Sequence, residues 1–287
     1  MNAQPKITII SIGRNNKAGL VETRRSVQAQ TYSNLHHLLI DGASSDGSAD
    51  LVAEWAKADE RATAVSRPDS GIYDAMNRAL DLVDGGYLLY LHAGDTFVND
   101  GVIERAMQAI ATQSNPPDLA IGWSRFVNGH GPMPYVVGGA TPNAITSAHE
   151  STIFSYDFHQ NERYDTTLNL AADYAFFREL AGRPSLAVLR LDFTISHFVF
   201  GGRSNDPSYD GARFLERARV DASFGESPGL TTYLRIGARM ATRRVVYALA
   251  GADRAAAWFL RLACRRGNSG ARALPIDQVD VEPRSAG

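Results

Sequence analysis

The first 125 residues alternate short, β-branched apolar runs with segments of helical period, and this alternation limits the possible folds more than any other feature. It is typical of an α/β sheet whose strands are mostly parallel and are joined by helices. The predicted strands are Lys6–Ile12, Leu35–Asp41, Arg61–Ser66, Gly86–His92 and Asp118–Trp123. The clearest predicted helix is Gly71–Val83, with an apolar face made of Ile72, Met76, Leu80 and Val83.

The rest of the chain changes character twice. Residues 125–148 are rich in Gly and Pro and predict a loop. Helical period returns at Leu168–Leu180, and an apolar strand is predicted at Leu186–Phe193. We therefore expect an α/β domain over residues 1–205, a basic amphipathic helical region over 206–272, and a disordered tail over 273–287.

Charge and cysteine content exclude several classes of protein. Lys and Arg total 29 against 31 Asp and Glu, a net charge of −2, which gives no reason to expect nucleic-acid binding. The single cysteine, Cys264, excludes an internal disulfide framework and a cysteine-rich metal site. The first residues lack the pattern of a signal peptide, so we expect a cytoplasmic protein.

The C-terminal region has a charge of its own. Residues 229–272 contain nine Arg, no Lys and one acid. Arg235, Arg239 and Arg243 recur every four residues, and a second segment, Arg254–Arg266, combines arginines with Trp258. Basic amphipathic helices with aromatic residues suit the anionic inner face of a membrane. The alternative is a helical subdomain that packs its apolar face on the α/β domain and leaves its arginines in water.

Polar segments follow the predicted strands, and the carboxyl ends of parallel strands meet at one edge of a sheet. Three of these segments contain Asp, beginning at Asp41, Arg67 and His92. Acids gathered at such an edge suit a divalent cation with phosphates, or hydrogen bonds to a ribose and a base. No Gly-x-Gly-x-x-Gly follows the first strand and no P-loop motif occurs, so dinucleotide oxidoreductases and P-loop NTPases lose their main support.

Three sequence blocks stand out: Leu39-Ile-Asp-Gly-Ala-Ser-Ser-Asp-Gly-Ser, Arg67-Pro-Asp-Ser-Gly-Ile-Tyr-Asp-Ala-Met-Asn-Arg-Ala and Tyr87-Leu-Leu-Tyr-Leu-His-Ala-Gly-Asp. They resemble the inverting, GT-A-fold glycosyltransferases of family 2, in particular the bacterial branch that builds polysaccharides and glycolipids. Their order and spacing agree with the family over about residues 5–205. The resemblance implies a Rossmann-like GT-A domain with a mixed, mostly parallel sheet, followed here by the helical region.

The resemblance assigns the donor site to the first two blocks. Asp41 would accept a hydrogen bond from the nucleotide base, and the donor pocket would be lined by Asp69, Asp74, Asn77 and Arg78. Each assignment has a simpler alternative. Asp41 would then be a turn carboxylate at a strand end, and Asp74 and Arg78 an ordinary solvated ion pair four residues apart on a helix.

The third block implies a metal site at Asp95. A bound Mg²⁺ or Mn²⁺ would offset the charge that grows on a leaving diphosphate. Many relatives have two or three acids here, whereas this chain has His92, Gly94 and Asp95, which leaves one carboxylate and makes the dependence on a metal an open question.

The catalytic base and the remaining candidates lie later in the chain. The resemblance makes Asp173 the base that removes the proton of the acceptor hydroxyl; the alternative is a helix carboxylate on the wet face. His149 would contact the diphosphate, the metal or the acceptor, and His197 and Arg203 are weaker candidates of the same kind. In the segment around His149 the chain has Glu150 where the branch usually has Gln.

The resemblance thus implies an inverting glycosyltransferase of cell-envelope biosynthesis, with a nucleoside diphosphate sugar as donor and a hydroxyl of a glycan or lipid-linked acceptor as its target. Two alternatives stay open at this point. One is a sugar-phosphate nucleotidyltransferase, although that class should show a Gly-rich basic loop after the first strand. The other is an inactive nucleotide-sugar-binding module at the membrane.

Overall fold

The computed structural model describes residues 4–128, 131–138, 140–141, 144–145, 149–199, 206–226, 229–251, 254–255 and 274–275. The strands are β1 (Ile7–Gly13), β2 (Leu35–Asp41), β3 (Ala62–Ser66), β4 (Tyr87–Tyr90), β5 (Thr96–Phe97), β6 (Leu119–Asn128), β7 (Gly131–Gly138), β8 (Ala140–Thr141), β9 (Ala144–Ile145), β10 (Thr152–Ser155), β11 (Val188–Val199) and β12 (Leu274–Pro275). The α-helices are α1 (Lys17–Gln28), α2 (Ser48–Ala58), α3 (Ile72–Leu80), α4 (Val102–Ala111), α5 (Tyr156–His159), α6 (Ala172–Ala181), α7 (Asp210–Ser223) and α8 (Leu230–Ala250). Short 3₁₀ turns form at His149–Ser151 and Pro207–Tyr209.

One mixed sheet organises the α/β part of the chain. Its main path runs β12-β7-β6-β10-β4-β1-β2-β3, while β11 pairs with both β6 and β5. The strands β3, β2, β1 and β4 are mutually parallel, and β10 lies antiparallel between β4 and β6. The predicted α/β class with a mostly parallel first half is confirmed.

Burial explains why β1 lies at the centre. All seven of its residues are buried, as expected of a parallel strand covered by helices on both faces. Ile7 and Ile9 pack in the apolar cluster with α4, while Ile10 and Ile12 pack in the cluster with α3 and α6. This two-sided cover holds the carboxyl ends of β1–β4 at one edge.

The apolar face of α3 differs from the prediction at one residue. Met76 and Leu80 are buried as expected, but Ile72 is 40% exposed and Tyr73 is buried in its place. Ile72 is the first residue of the helix, where the chain has only just turned at Gly71, so the buried stripe starts one residue later.

The predicted loop at residues 125–148 is wrong over much of its length. β6 continues to Asn128, and β7 pairs with it in antiparallel register. Pro132, one of the prolines that suggested a loop, lies in β7 opposite Val127, next to a register shift between Arg125 and Val127. Irregular positions and strand starts are the places where a sheet tolerates proline.

The C-terminal helices contact the α/β part through α7. Glu216 accepts hydrogen bonds from the backbone N–H groups of Asn169 (3.0 Å) and Leu170 (2.7 Å), just before α6. Tyr174 of α6 donates to Asp221 of α7 at 2.6 Å. The division at residue 205 and the disordered tail stay predictions; of the tail, Leu274–Pro275 pairs with β7.

Candidate functional site

Asp41 ends β2 in register with Gly13 of β1 and Ser66 of β3, and it is 0% exposed. Its Oδ2 atom accepts hydrogen bonds from the Ser44 N–H (3.0 Å) and the Ser66 hydroxyl (2.6 Å). In the described part of the chain no hydrogen-bond partner reaches Oδ1, although that atom is buried. An unsatisfied buried carboxylate oxygen is costly, so Oδ1 is an acceptor suited to a donor group of a ligand.

Asp69 lies directly against the turn that follows Asp41. A Cβ atom at Gly42 would stand 2.7 Å from Oδ2 of Asp69, so a larger residue at this position would require the Asp69 carboxylate to shift. Oδ1 of Asp69 accepts a hydrogen bond from the Gly71 N–H at 3.0 Å, which fixes the carboxylate before α3 begins. Next to it a pocket of ≈ 120 Å³ lies between β2, β3 and α3, with Ile40, Val65 and Ala75 in its apolar wall and Arg67, Asp69 and Arg78 among its charged residues.

An ion pair joins the first and last turns of α3. Arg78 contacts Asp74 at 2.9 Å and also donates to the carbonyl of Pro68 at 2.9 Å. Burial opposes ionisation of Asp74, but the hydrogen bond from the Ser70 N–H and the Arg78 charge outweigh it and lower the pKa of the carboxyl. We call Asp41, Asp69, Asp74 and Arg78 the strand-end group.

Asn77 lies apart from this group. Its side-chain amide donates to the carbonyl of Tyr164 (2.8 Å) and its oxygen accepts from the N–H of the same residue (2.9 Å). Both ends of the amide are therefore used to hold Tyr164, a role different from the predicted contact with the donor.

Asp95 lies in the loop after β4, and that loop is fixed from two directions. Gly94 has φ 110°, a left-handed conformation that favours glycine. The Thr23 hydroxyl oxygen lies 2.7 Å from the Asp95 carbonyl and accepts from the Gly94 N–H at 3.0 Å. Oδ1 of Asp95 accepts from the Val199 N–H at 3.0 Å, at the end of β11. Burial, and after it the charge of Glu150, raise the pKa of Asp95 well above its usual value.

His149 and Glu150 lie on the 3₁₀ turn before β10 and face this loop. The rings of His149 and His92 are 4.8 Å apart, and Nε2 of His149 lies 3.6 Å from the Glu150 carboxylate. Burial raises the pKa of Glu150, while the charge of His149 acts in the opposite direction. Among the described residues, neither ring nitrogen of His92 nor Nδ1 of His149 has a hydrogen-bond partner, although all three atoms are buried.

Asp173 lies in the first turn of α6. The helix begins at Ala172, four residues after the start of the predicted helical segment at Leu168. The Oδ1 atom of Asp173 accepts from the Tyr73 hydroxyl (3.1 Å) and from the Tyr174 N–H (2.7 Å). The negative charge of Asp173 helps to raise the pKa of Glu150. We call Asp95, His149, Glu150 and Asp173 the central group.

Two weaker candidates and two residues without a predicted role remain to be placed. His197 lies on β11, opposite Thr96 of β5, two residues before the Val199 that binds Asp95. Arg203 lies outside the described residues. Sequence reasoning did not assign a role to Tyr73, which lies inside the second matched block, or to Glu150, which stands next to His149 where the branch usually has Gln.

Comparison with known proteins identifies the family of this chain. The family model described as glycosyl transferase family 2 matches residues 8–180. An uncharacterized glycosyltransferase of Mycobacterium tuberculosis strain H37Rv is 30% identical over 188 residues, which is 63% of this chain and 71% of the relative. A PGL/p-HBAD biosynthesis glycosyltransferase of Mycobacterium bovis is 34% identical over 121 residues, 42% of this chain. The match spans less than half (47%) of that second relative.

Solved structures share the fold at low sequence identity. Staphylococcus aureus TarS 1–349 in complex with UDP-GlcNAc superposes with a TM-score of 0.62 and 15% identity, covering 78% of this chain and 68% of that one. The mannosyltransferase PcManGT of Pyrobaculum calidifontis, in complex with GDP-Man and Mn²⁺, gives a TM-score of 0.59 and 16% identity, covering 93% and 82%. The predicted GT-A fold is confirmed.

Proposed function

Because this chain belongs to glycosyl transferase family 2, we propose that it is an inverting enzyme that moves a sugar from a nucleoside diphosphate to a hydroxyl of a glycan or glycolipid acceptor of the cell envelope. The observation that carries the proposal is the buried Asp41 carboxylate at the carboxyl edge of the sheet, with Oδ1 free of partners among the described residues. Membership of a glycosyltransferase family favours sugar transfer over the nucleotidyltransferase alternative.

In this proposal the strand-end group holds the nucleotide. Uracil, thymine and guanine each present a ring N–H group, and Oδ1 of Asp41 is a carboxylate acceptor for it. Asp69 borders the adjoining pocket, next to the turn at Gly42. The bound nucleotides of TarS and PcManGT, UDP-GlcNAc and GDP-Man, support a nucleotide sugar as the donor class.

Within the central group, Asp95 would hold a divalent cation and, through it, the diphosphate. Within the described residues no cluster of three or more His, Cys, Asp or Glu side chains is arranged to bind a metal by itself. The residues nevertheless fit a cation, because the buried Asp95 carboxylate lies in the field of a second buried carboxylate, Glu150, and a positive charge would relieve that repulsion. Asp95 would hold Mg²⁺ or Mn²⁺ with diphosphate oxygens and water as further ligands. Such an ion supplies Lewis-acid stabilisation of the leaving diphosphate.

Asp173 is the proposed base. As the acceptor oxygen forms its bond to the anomeric carbon, the bond from that carbon to the diphosphate oxygen breaks, and Oδ2 of Asp173 takes the acceptor proton. Attack from the face opposite the leaving group inverts the anomeric centre. Both hydrogen bonds to the carboxylate end on Oδ1, and no other described residue donates to it, so Oδ2 is available for the proton.

The test is a donor hydrolysis screen. The purified full chain is incubated with UDP-, GDP- and dTDP-sugars, with Mg²⁺, with Mn²⁺ or with EDTA, and the released nucleoside diphosphate is measured. We expect release from one donor, dependent on the metal and lost in Asp95→Asn. Binding of a donor without release in any condition, including mixed lipid extracts as acceptor, would contradict the proposal and favour the inactive binding module.

We also propose that α8 contacts an anionic membrane. No helix of the described residues combines the length and apolar character needed to cross a bilayer. On α8, however, Leu234 (66%), Val245 (56%) and Leu249 (84%) are exposed, together with Arg235, Arg239 and Arg244. Arg243, the third member of the predicted stripe, instead donates to Asp210 of α7 at 2.6 Å and fastens the helix. Most of the second basic segment, beyond residue 255, lies outside the described residues.

Flotation with vesicles tests this contact. The full chain should float with vesicles containing phosphatidylglycerol but not with pure phosphatidylcholine, and Arg235→Glu/Arg239→Glu should abolish flotation. The matched control is Arg25→Glu/Arg190→Glu, which changes the net charge equally at exposed arginines of α1 and β11. Equal loss in both double variants would show only a net-charge effect and would contradict the membrane contact of α8.

A further inference from the structure

The helix that carries Asp74 and Arg78 turns its other face toward the central group. Tyr73 is 8% exposed, and its hydroxyl lies 3.1 Å from Oδ1 of Asp173, one hundred residues away in sequence. We propose that Tyr73 is a positioning residue, whose hydroxyl holds the Asp173 carboxylate so that Oδ2 stays directed toward the acceptor. This inference rests on the proposed function, in which Asp173 is the base.

The Tyr73 hydroxyl is suited to be the donor to the Asp173 carboxylate. Burial, and after it the charge of Asp173, raise the pKa of Tyr73 well above its usual value, so the hydroxyl keeps its proton. A hydrogen bond from a neutral donor stabilises the ionised carboxylate more than the protonated one. With the Tyr174 N–H on the same oxygen, the carboxylate has one anchored atom and one available atom.

Tyr73 is itself held in place by neighbours that leave its hydroxyl little freedom. Its ring packs against that of Tyr164, with ring centroids 5.5 Å apart. The backbone of Tyr164 is in turn clamped by both ends of the Asn77 amide, one turn further along α3. The block that sequence reasoning gave to the donor therefore also reaches the base, through Tyr73 and Asn77.

The chain offers a matched control for this contact. The Tyr164 hydroxyl belongs to the same buried aromatic cluster, yet it has no hydrogen-bond partner among the described residues. Tyr164→Phe and Tyr73→Phe each remove one buried hydroxyl and keep the ring, but only Tyr73→Phe removes a donor to Asp173.

The first measurement follows ionisation without turnover. Carboxylate ¹³C NMR titration, with the Asp173 signal identified by its absence in Asp173→Asn, reports the midpoint for this one side chain. We expect Tyr73→Phe to move the midpoint to higher pH, because the ionised form loses a hydrogen bond, and Tyr164→Phe to leave it in place. Equal midpoints in the wild type and both variants would overturn the proposal, whatever the enzyme does.

The second measurement follows turnover on the donor found in the hydrolysis screen. Tyr73→Phe should lower kcat about 10-fold to 100-fold, as expected for one hydrogen bond to a charged group. It should also shift the acid limb of the pH profile upward and leave KM for the donor unchanged. Tyr164→Phe should keep wild-type kcat, and Tyr73→Phe should add nothing in an Asp173→Asn background.

The two proposals fail in different ways. If Asp173→Asn keeps full activity, the base assignment is wrong and the positioning role falls with it. If Asp173→Asn is inactive but Tyr73→Phe behaves like Tyr164→Phe in kcat and pH profile, the base stands and the positioning role is refuted.

Discussion

The two groups of the site are built in opposite ways. The strand-end group comes from residues 41–78, and nearby atoms satisfy most of its charges: Ser44 and Ser66 for Asp41, and Ser70 and Arg78 for Asp74. The central group comes from residues 95–173 and gathers acids that burial penalises, Asp95 and Glu150. Apart from Oδ1 of Asp41, the charges of the first group are settled, that is, paired or hydrogen-bonded, before a ligand arrives. In the second group, burial disfavours the charged forms of Asp95 and Glu150.

This difference suggests that the strand-end group binds the donor and the central group takes part in the chemical step. A settled site can bind a nucleotide with little rearrangement, because its donors and acceptors are already fixed. Buried, poorly compensated charges are typical of groups that take part in chemistry. We therefore expect changes in the strand-end group to alter donor affinity, and changes in the central group to alter turnover.

The largest expected effect is that of Asp173→Asn. The amide oxygen can still accept from Tyr73 and Tyr174, so the local structure should be kept while the base is lost. Turnover should fall about 10²-fold to 10⁴-fold, the usual contribution of general base catalysis, with donor affinity by calorimetry unchanged. Asp192→Asn, at an exposed position of β11, is the control. A parallel loss of donor affinity would break the division of work between the groups.

The second effect concerns Asp41→Asn. The amide oxygen must remain with Ser44 and Ser66, which donate, so an N–H₂ group would replace Oδ1 and meet the donor of the base. Donor binding should weaken about 10-fold to 100-fold, the value of a hydrogen bond to a charged group. Calorimetry with UDP and GDP measures the loss, with the exposed Asp50→Asn as control. Unchanged affinity for both nucleotides would leave Asp41 as a turn carboxylate only.

Sequence reasoning reached the strand-end group more fully than the central one, for a physical reason. Parallel strands end at one edge, so the polar residues after β1, β2 and β3 had to meet. That rule and the family resemblance predicted Asp41 and Asp69, and the structure places Asp69 against the turn that follows Asp41; their contact with a donor stays a prediction. The contacts of the central group depend on pairings across many residues, such as Asp95 with Val199 and Asp173 with Tyr73, which local periodicity does not encode.

The fold shows the same limit. The strands β1–β4 lie within a few residues of their predicted bounds, since β-branched runs and helical period mark them locally. β7 was missed because its Gly and Pro content is typical of loops, while its strand pairing with β6 comes from tertiary contacts. The contact of the Asn77 amide with Tyr164 was not predicted either, because it joins residues far apart in sequence; the contact of Asn77 with the donor stays a prediction.

A smaller effect is the pH dependence of stability that comes from two buried histidines. His37 in β2 and His159 in α5 are buried, and burial lowers the pKa of each to about 3. The unfolded chain therefore binds more protons between about pH 3 and 6.5, and stability is lost as pH falls through that range. Each histidine should cost about 2 kcal/mol between pH 7 and pH 5.

Urea unfolding at both pH values measures that cost. His37→Gln and His159→Gln should each reduce the pH dependence by a similar amount. The control is His36, which is only half-buried. Burial lowers its pKa less strongly, so His36→Gln should change the pH dependence of stability less. If only one of these two substitutions removed the pH dependence, the segments that hold His37 and His159 would unfold separately.

The smallest effect concerns the ion pair between Asp74 and Arg78. Its arginine is 49% exposed, and such pairs on a helix contribute about 0.3–0.5 kcal/mol, so a double-mutant cycle of Asp74→Ala and Arg78→Ala should give a coupling free energy of unfolding of that size. Because Arg78 is already occupied by Asp74 and Pro68, its removal should weaken donor binding far less than Asp41→Asn does. If Arg78→Ala instead weakens binding as much as Asp41→Asn, the ion pair opens on binding, and the strand-end group is not settled before the nucleotide arrives.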